Sequence, residues 1–311
     1  MIKIGLLGFG VVNSGVYEIF EERRKYIEEA IEDEFSIEKI LVKNPKKHSD
    51  IKNLLVDNIS EIIDDDSIDL VIEATGEVEA IEDDIKKILS KKNLISTNKA
   101  LISKNFEEFN RIKKENKTKL RFDASVGGAI PVIENLYTIS ILDEVEEISG
   151  IFNGSCNFIL SKMEEGYSFK DALEKAQELG FAEADPKDDI EGFDSLRKLR
   201  IAASILFRKE IKEEDIDLEG ITKIKKDHVK KASERGLRYK LIAYANKDGI
   251  YQVRPELLEK NSIFGSIEDN ENIFQIKSSN SKDLILKGRG AGKRETGFSV
   301  LNDFLKIYSK N

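Results

Sequence analysis

Residues 2–13 of the chain read IKIGLLGFGVVN, an apolar run that ends in two closely spaced glycines. The run Ile2–Leu7 predicts a buried strand, and the residues after the glycines have the pattern of a helix that continues to about Ile31. Gly8 and Gly10 permit a tight turn and a close approach of the backbone to a pyrophosphate. Free N–H groups at the start of the helix can bind such an anion. The stretch therefore predicts a dinucleotide-binding turn.

The turn departs from the usual fingerprint at its third glycine. That position holds Asn13, and the next glycine is Gly15. The third glycine normally lets the helix pack closely on its strand, so we expect the local geometry to differ here. A glycine-rich turn alone is also compatible with an ordinary tight turn, but its position directly after a strand favours a nucleotide site.

Strand and helix patterns alternate over residues 1–126. Further strands are predicted at Ile37–Val42, Ile68–Ala74, Leu94–Thr97 and Leu120–Val126, and helices from about Val78 and at Phe106–Lys114. This alternation predicts an α/β fold with a parallel sheet of Rossmann type and right-handed crossovers. We expect the final helix, within residues 290–311, to pack back on this first domain and complete it.

The pattern changes over residues 127–289, which we interpret as a second domain of α+β type. A strand is predicted at Glu146–Asn153, and the segment 246–249 is a hairpin turn between Leu241–Ala245 and Ile250–Val253. Helices are predicted at Cys156–Glu164, Phe169–Leu179, Phe193–Phe207 and Asp227–Arg235.

Composition excludes several classes of protein. A net charge of -9 and a pI of about 5.2 argue against a nucleic-acid or anionic-membrane surface. The apolar start of the chain is short and interrupted by glycines, and it does not reach the roughly 18 apolar residues of a membrane span. Cys156 is the only cysteine, so no intrachain disulfide can form and a reducing, cytoplasmic location is expected. His48 and His228 are the only histidines, and we interpret both as surface residues; acid–base chemistry must then use Lys, Asp, Glu or Tyr.

The second predicted strand ends at Val42-Lys43-Asn44. A site that prefers NAD usually has Asp or Glu at this point for the ribose hydroxyls. Lys43 is a cation instead. A positive charge here mildly favours NADP, because it attracts the extra phosphate of that cofactor. A lysine-rich loop that is simply solvated remains the alternative.

Carboxylates are dense in residues 180–194, and a helix follows them. Asp194 and Lys198 are four residues apart, so they lie on one helix face, beside Ile201 and Ile205 and toward the body of the protein. One interpretation is a half-buried structural salt bridge, and the other is a lysine that exchanges protons beside a carboxylate. The carboxylates could equally bind calcium, magnesium or a substrate ammonium group.

Lys99 follows the fourth predicted strand. Ligands of open α/β sheets lie beyond the carboxyl ends of the strands, so a lysine there can reach the nicotinamide end of the cleft. By itself it is also compatible with a surface lysine.

Together these segments resemble the homoserine dehydrogenase family along essentially the whole chain. The matching stretches are Gly8–Val12, Thr97–Ala100, Ala124–Pro131, Gly150–Asn157, Gly180–Lys198, Lys240–Ala243 and Gly290–Gly292 with Thr296. The resemblance implies an NAD(P)-dependent oxidoreductase that interconverts L-homoserine and L-aspartate 4-semialdehyde in threonine, methionine and isoleucine biosynthesis. It also implies a homodimer formed through the second domain, which carries the catalytic residues.

The resemblance implies roles for single residues. Lys198 matches the family's acid–base lysine, Lys99 a second lysine of proton transfer, and Asp194 an acid that orients substrate or water. The other substrate-binding positions are matched by Ser155, Asp188 and Glu183, the last of these for the substrate amino group. Cofactor-contact positions are matched by Phe9, Val11, Val12, Thr75, Lys99 and Gly292, in addition to Gly8, Gly10 and Lys43.

A monovalent-cation site, usually sodium and made largely of backbone carbonyls, is matched by Asp123, Val126, Gly128 and Ile130. Asp123 stands where the family usually has Glu, and a tight turn without an ion is the alternative. The family also commonly has Thr where this chain has Ser155 and Cys156, and Pro where it has Glu295.

Two other functions compete with this interpretation. The chain could be a related dehydrogenase of another small amino or hydroxy acid, which the presence of Glu183, Asp194 and Lys198 disfavours. It could also be a non-catalytic NAD(P)-binding relative, which predicts the loss of Lys198 or Lys99.

Overall fold

The computed structural model describes residues 1–310, apart from the side chains of Lys47, Ser49 and Asp50. The strands are β1 (Ile2–Leu7), β2 (Phe35–Leu41), β3 (Leu55–Val56), β4 (Leu70–Glu73), β5 (Asn93–Ser96), β6 (Leu120–Arg121), β7 (Val145–Ile151), β8 (Asp217–Leu218), β9 (Leu237–Asn246), β10 (Tyr251–Glu259), β11 (Glu271–Ser278) and β12 (Lys282–Arg289).

The helices are α1 (Val11–Ile31), α2 (Ser60–Ile63), α3 (Glu82–Lys91), α4 (Lys99–Lys104), α5 (Phe106–Asn116), α6 (Asp123–Gly127), α7 (Val132–Leu142), α8 (Gly154–Glu164), α9 (Phe169–Glu178), α10 (Lys187–Ile190), α11 (Phe193–Leu206), α12 (Lys226–Glu234) and α13 (Lys293–Tyr308). Short 3-10 helices cover Pro45–Lys47, Ser49–Leu54 and Glu213–Asp215. The chain forms two compact units, Met1–Ala129 with the segment from Gly292 onward, and Ile130–Ala291.

The first unit contains a parallel sheet in the order β3-β2-β1-β4-β5-β6. Its central strands are apolar on both faces, with Ile4, Leu6, Ile72 and Ile95 completely buried, as expected when helices cover both sides of a parallel sheet. The strand order reverses between β1 and β4, so the ends of these two strands form the crevice where such sheets bind their ligands. The predicted Rossmann-type α/β fold is confirmed.

The C-terminal helix α13 packs against α1 in the first unit. A Cβ on Gly15 would lie 2.3 Å from the carbonyl oxygen of Lys293, so only glycine permits this approach. Farther along the two helices, the ring of Phe304 packs edge-on against Phe20, with centroids 5.2 Å apart. Gly15 therefore permits a helix–helix contact and not the helix–strand contact of a third fingerprint glycine.

The second unit contains a sheet in the order β12-β11-β7-β9-β10-β8, antiparallel except where β8 pairs with β10. One face of its central strands is completely buried and carries Ile148, Ala245 and Ile276. The register places Ser149, Tyr244 and Gln275 side by side on the opposite face. The predicted hairpin between β9 and β10 is confirmed.

The sequence prediction is wrong between residues 120 and 142. The expected strand Leu120–Val126 ends at Arg121, and α6 follows. The backbone N–H of Asp123 donates to Asp303 Oδ2 at 2.9 Å, a contact with a distant helix that the local pattern cannot reveal. Helix α7 was not predicted, because it is apolar on most sides. Along residues 1–310, no helix combines the length and apolar character needed to cross a membrane.

Candidate active site

The predicted nucleotide turn follows β1 directly. Gly8 adopts a φ of 81°, and a Cβ there would lie 3.0 Å from the carbonyl oxygen of Ala74, which explains the need for glycine. Gly10 precedes α1 without any side-chain cap, and a Cβ on it would meet no atom within 4 Å. The start of α1 thus presents N–H groups beside open space, which fits a pyrophosphate.

Asn13 takes the place of the third glycine by hydrogen bonding. Its side chain is completely buried, and Nδ2 donates to the carbonyl oxygens of Leu7 at 3.1 Å and Gly8 at 2.8 Å. A third carbonyl, that of Ile72 in β4, lies 3.5 Å away. The amide therefore joins the first turn of α1 to the ends of both crevice strands.

Glu73, which the sequence analysis missed, organises the opposite side of the crevice. Its completely buried carboxylate accepts hydrogen bonds from Thr75 N at 2.8 Å, Thr75 Oγ1 at 2.7 Å and Ser96 Oγ at 2.5 Å. Ser96 Oγ in turn accepts from Asn98 N at 3.1 Å, and Asn98 caps the N-terminus of α4. Thr75 and Lys99, the first residue of α4, are thereby held by one hydrogen-bonded network.

Lys43 has an anionic partner in the structure. Its Nζ lies 2.5 Å from Glu77 Oε1, although 88% of the lysine side chain is exposed. The backbone N–H of Glu77 donates to Thr75 Oγ1 at 3.2 Å, which connects this ion pair to the Glu73 network. The Glu77 carboxylate therefore partly offsets the positive charge of Lys43, which the sequence analysis assigned to cofactor binding.

The remaining predicted cofactor positions lie at helix starts and beside the turn. Val11 is exposed at the first turn of α1, and Val12 is partly buried. Gly292 precedes α13 with a φ of 146°, and a Cβ there would lie 2.2 Å from a carboxylate oxygen of Glu295. The carboxylate of Glu295 thus lies next to Gly292, at the start of α13.

Phe9 lies beside a histidine that we interpreted as solvated. The rings of Phe9 and His48 meet edge to face with centroids 5.3 Å apart, so His48 is half-buried. The interpretation of His48 as a plain surface residue is therefore wrong. Its polar sequence neighbours gave no signal of this ring contact.

In the second unit, Lys198 and Asp194 form a buried pair one turn apart on α11. Lys198 Nζ lies 2.9 Å from Asp194 Oδ2, and the two residues are 8% and 2% exposed. Lys198 Nζ also donates to the carbonyl oxygen of Phe152 at 2.8 Å. That carbonyl, just beyond β7, accepts a second hydrogen bond from Asn272 Nδ2 at 3.1 Å. The predicted orientation of the pair toward the body of the protein is confirmed.

Asn153 links this pair to a second carboxylate, and the sequence analysis did not single it out. Its Nδ2 donates to Asp194 Oδ2 at 2.9 Å and to Asp189 Oδ1 at 2.7 Å. Its Oδ1 accepts from Cys156 N at 2.7 Å and so caps α8. The available signal was an asparagine directly before a helix, which is a common N-cap.

The other predicted substrate residues lie on α8, on α10 and on the loop between α9 and α10. Ser155 Oγ donates to the carbonyl oxygen of Phe181. Glu183 is exposed on the loop after α9. Asp188 forms an ion pair with Arg197, so its neighbour Asp189 is the residue of this segment that joins the buried cluster.

Cys156 is buried beside the cluster and unsuited to nucleophilic chemistry. Its thiol donates to the carbonyl oxygen of Asp189 at 3.1 Å. Burial raises the pKa of the Cys156 thiol well above its usual range, so it stays protonated.

The predicted cation segment begins in α6. Asp123 and Val126 are buried within that helix, and Gly128 follows it with a φ of 60°. Ile130 is the first residue of the second unit. Among the described side chains there is no cluster of three or more His, Cys, Asp and Glu that could hold a metal ion.

Comparisons with known proteins agree over both units. The family model described as "Homoserine dehydrogenase, NAD binding domain" matches residues 8–123, and the model described as "Homoserine dehydrogenase" matches residues 131–305. The homoserine dehydrogenase of Bacillus subtilis (strain 168) is 33% identical over 314 residues, which cover 98% of this chain and 72% of the relative.

Solved structures show the same likeness. A homoserine dehydrogenase from Thiobacillus denitrificans superimposes with a TM-score of 0.93 at 30% identity, covering 99% of this chain and 73% of that one. A putative homoserine dehydrogenase from Archaeoglobus fulgidus gives a TM-score of 0.90 at 31% identity, covering 99% of this chain and 100% of that one.

Proposed function

The chain belongs to the homoserine dehydrogenase family and is an NAD(P)-dependent oxidoreductase, and from this premise we propose which of its residues carry the reaction. The reaction interconverts L-homoserine and L-aspartate 4-semialdehyde. The nicotinamide, when bound, supplies or accepts the hydride. The protein must bind the substrate and move the proton on the reacting oxygen.

Lys198 is the residue that we propose to move this proton. An ammonium group has three N–H donors. Two of them have fixed acceptors, Phe152 O at 2.8 Å and Asp194 Oδ2 at 2.9 Å. The third is left for a substrate oxygen, and this observation carries the proposal. Lys198 then donates a proton to the aldehyde oxygen during reduction and takes it back during oxidation.

Asp194 orients the lysine and the substrate, and Lys99 takes a second role in proton transfer. The Asn98 cap at the start of α4 fixes the backbone that carries Lys99. Glu183 is proposed to bind the substrate amino group, with Ser155 and Asp188 completing the substrate contacts. Ser155 lies on α8, which Asn153 caps, and Asp188 is next to Asp189 on α10, which supports the assignment of these two residues.

The cofactor is proposed to bind along the turn Gly8–Val12, with Thr75, Lys99 and Gly292 as further contacts. NADP is favoured by Lys43, whereas the partner Glu77 offsets that charge. We therefore propose that NADP is preferred and that NAD is also accepted.

A sodium ion is proposed to bind backbone carbonyls of Asp123, Val126, Gly128 and Ile130. The end of α6 at Gly128, where φ is 60°, supports this proposal, because backbone carbonyl oxygens beyond a helix end are no longer all used within the helix. A side-chain contribution from Asp123 is not part of the proposal.

We infer that residues 1–126 with 290–311 form the NAD(P)-binding domain, and that residues 127–289 form the catalytic and dimerisation domain. We propose a homodimer whose copies contact each other through this second domain. A cytoplasmic location is supported by the free, buried thiol of Cys156.

The deciding experiment is oxidation of L-homoserine by the purified protein at alkaline pH, followed through the absorbance of the reduced cofactor. NAD and NADP are supplied in parallel. Reduction that depends on L-homoserine and is faster with NADP is the expected result. Binding of a cofactor without reduction would instead favour another small hydroxy acid, or a non-catalytic relative, and a panel of such acids separates these two.

A further inference from the structure

One asparagine holds two carboxylates of the buried cluster at once. Asn153 is 3% exposed, and each N–H of its Nδ2 points at a different aspartate, Asp189 and Asp194. Two carboxylates that share one nitrogen as donor lie close together, so their negative charges repel each other. The amide and the Lys198 ammonium offset this repulsion.

Asn153 holds the carboxylate that pairs with Lys198. Asp194 Oδ2 accepts from both Asn153 Nδ2 and Lys198 Nζ, each at 2.9 Å. Asp189 Oδ1 is held by the other N–H of the same amide, at 2.7 Å. Without the amide, Asp194 could rotate about its side-chain bonds.

The backbone at this point adds a second constraint. Phe152, the residue before Asn153, offers the carbonyl oxygen that accepts from Lys198 Nζ. Asn153 Oδ1 caps α8, which fixes the side chain in the orientation that both aspartates require. The two residues that follow β7 therefore bind both members of the pair. The Phe152 carbonyl binds the Lys198 ammonium, and the Asn153 amide binds the Asp194 carboxylate.

We propose that Asn153 is a positioning residue of the hydride-transfer site, which fixes Asp194 against Lys198. This inference rests on the roles proposed above for Lys198 and Asp194. Asn153 does not touch the substrate in this scheme and acts through the pair.

Asn153→Asp tests the inference while leaving the shape and the helix cap in place, because Asp caps helices about as well as Asn. It removes both N–H donors. We expect kcat to fall about 10- to 100-fold, the scale on which a displaced catalytic group acts, while the Kd of NADPH measured by fluorescence changes less than about twofold. A kcat equal to that of the unmodified enzyme would overturn the inference.

Asn153→Ala and Ser168→Ala separate catalysis from stability. Ser168 caps α9 through a hydrogen bond from Asp171 N at 3.2 Å, so its loss removes a helix cap in the same unit. We expect both variants to lower the thermal midpoint and only Asn153→Ala to lower kcat, measured well below that midpoint. Equal kcat in the two variants would contradict a positioning role.

A double-mutant cycle with Asp194→Asn completes the test. Because Asn153 acts through Asp194, the double variant Asn153→Ala, Asp194→Asn should have the kcat of Asp194→Asn within about twofold. Independent, multiplying losses would overturn the inference and leave the role of Asp194 intact. A normal kcat in Asp194→Asn alone would instead refute the proposed role of Asp194, and the inference with it.

Discussion

Asn13 Nδ2 lies 2.8 Å from the carbonyl oxygen of Gly8, so the side chain that replaces the third fingerprint glycine closes the turn that the first glycine opens. The same nitrogen reaches Leu7 and Ile72. A missing glycine is therefore not a defect of this turn, because a buried amide ties the helix to the strands from inside.

Restoring the glycine should weaken the protein. Asn13→Gly removes buried hydrogen bonds worth about 1 kcal/mol each and adds the helix penalty of glycine, for a loss of about 2–3 kcal/mol in unfolding free energy. Urea denaturation measures the loss. Ser14→Gly is the matched control, because Ser14 has only an exposed bond to Val11 O and should cost about 1 kcal/mol. Equal midpoints for the two variants would show that the Asn13 contacts contribute nothing.

Lys198→Met should abolish most turnover without abolishing cofactor binding. Removal of an acid–base group typically lowers kcat by about two to four orders of magnitude. Asp194 also loses its ammonium partner, so some loss of stability is expected and the assay belongs below the new thermal midpoint. Lys175→Met is the control, because Lys175 pairs only with Glu178 at the surface. Turnover of Lys198→Met near that of the control would remove Lys198 from its role.

Cofactor choice should respond in opposite directions to the two members of the Lys43–Glu77 pair. Lys43→Ala should lower kcat/KM for NADP relative to NAD by up to about fivefold, since an exposed charge contact contributes up to about 1 kcal/mol. Glu77→Gln should raise the same ratio, because Lys43 then faces the extra phosphate alone. Direct Kd values for NADPH and NADH provide the second readout. A ratio unmoved by either change would show that the pair lies away from the phosphate.

The stability of the protein should depend on pH through Lys240. This completely buried lysine donates to Asn157 Oδ1 at 2.6 Å and to the carbonyl oxygen of Ile267 at 2.5 Å. Burial lowers the pKa of Lys240 from 10.5 to about 8. Between these pH values the unfolded chain binds more protons, so stability should rise with pH from about 8 to 10.5, by up to about 3 kcal/mol.

Lys240→Met removes this titration and should flatten the pH profile of the unfolding free energy over that range. The exposed Lys226 gives the control variant, Lys226→Met, which should retain the rise. An identical slope in Lys240→Met and the unmodified protein would place the titrating group elsewhere.

The sequence predicted those parts of the fold that are determined by residues close together in the chain. Alternating strands and helices revealed the parallel sheet, and the four-residue spacing of Asp194 and Lys198 predicted a pair that the structure confirms. Hydrophobic periodicity did not predict α7, because apolar and β-branched residues occupy most faces of this helix and leave no clear polar face. It failed again at α6, whose start is held by Asp303 from far along the chain.

The hydrogen-bonding roles of Asn153 and Glu73 could not be predicted from the sequence, for a related reason. Asn153 reaches Asp194 across 41 residues of chain, and Glu73 reaches Ser96 across 23. Such contacts form only after the strands that carry them have been placed. A polar residue at a strand end gives no sign of which partner it will meet.

The packing of α13 on α1 has a consequence for biosynthesis. Phe304 fills the space beside Phe20 and Phe35, with ring centroids 5.2 and 5.9 Å away, and its helix follows the entire second unit in the chain. While the nascent chain extends only to Ala129, Phe20 and Phe35 lack the packing partner Phe304. The first unit therefore cannot complete its core until the second unit has been translated. We expect the second unit to fold first on the ribosome, and the earlier one to need chaperone protection in the interval.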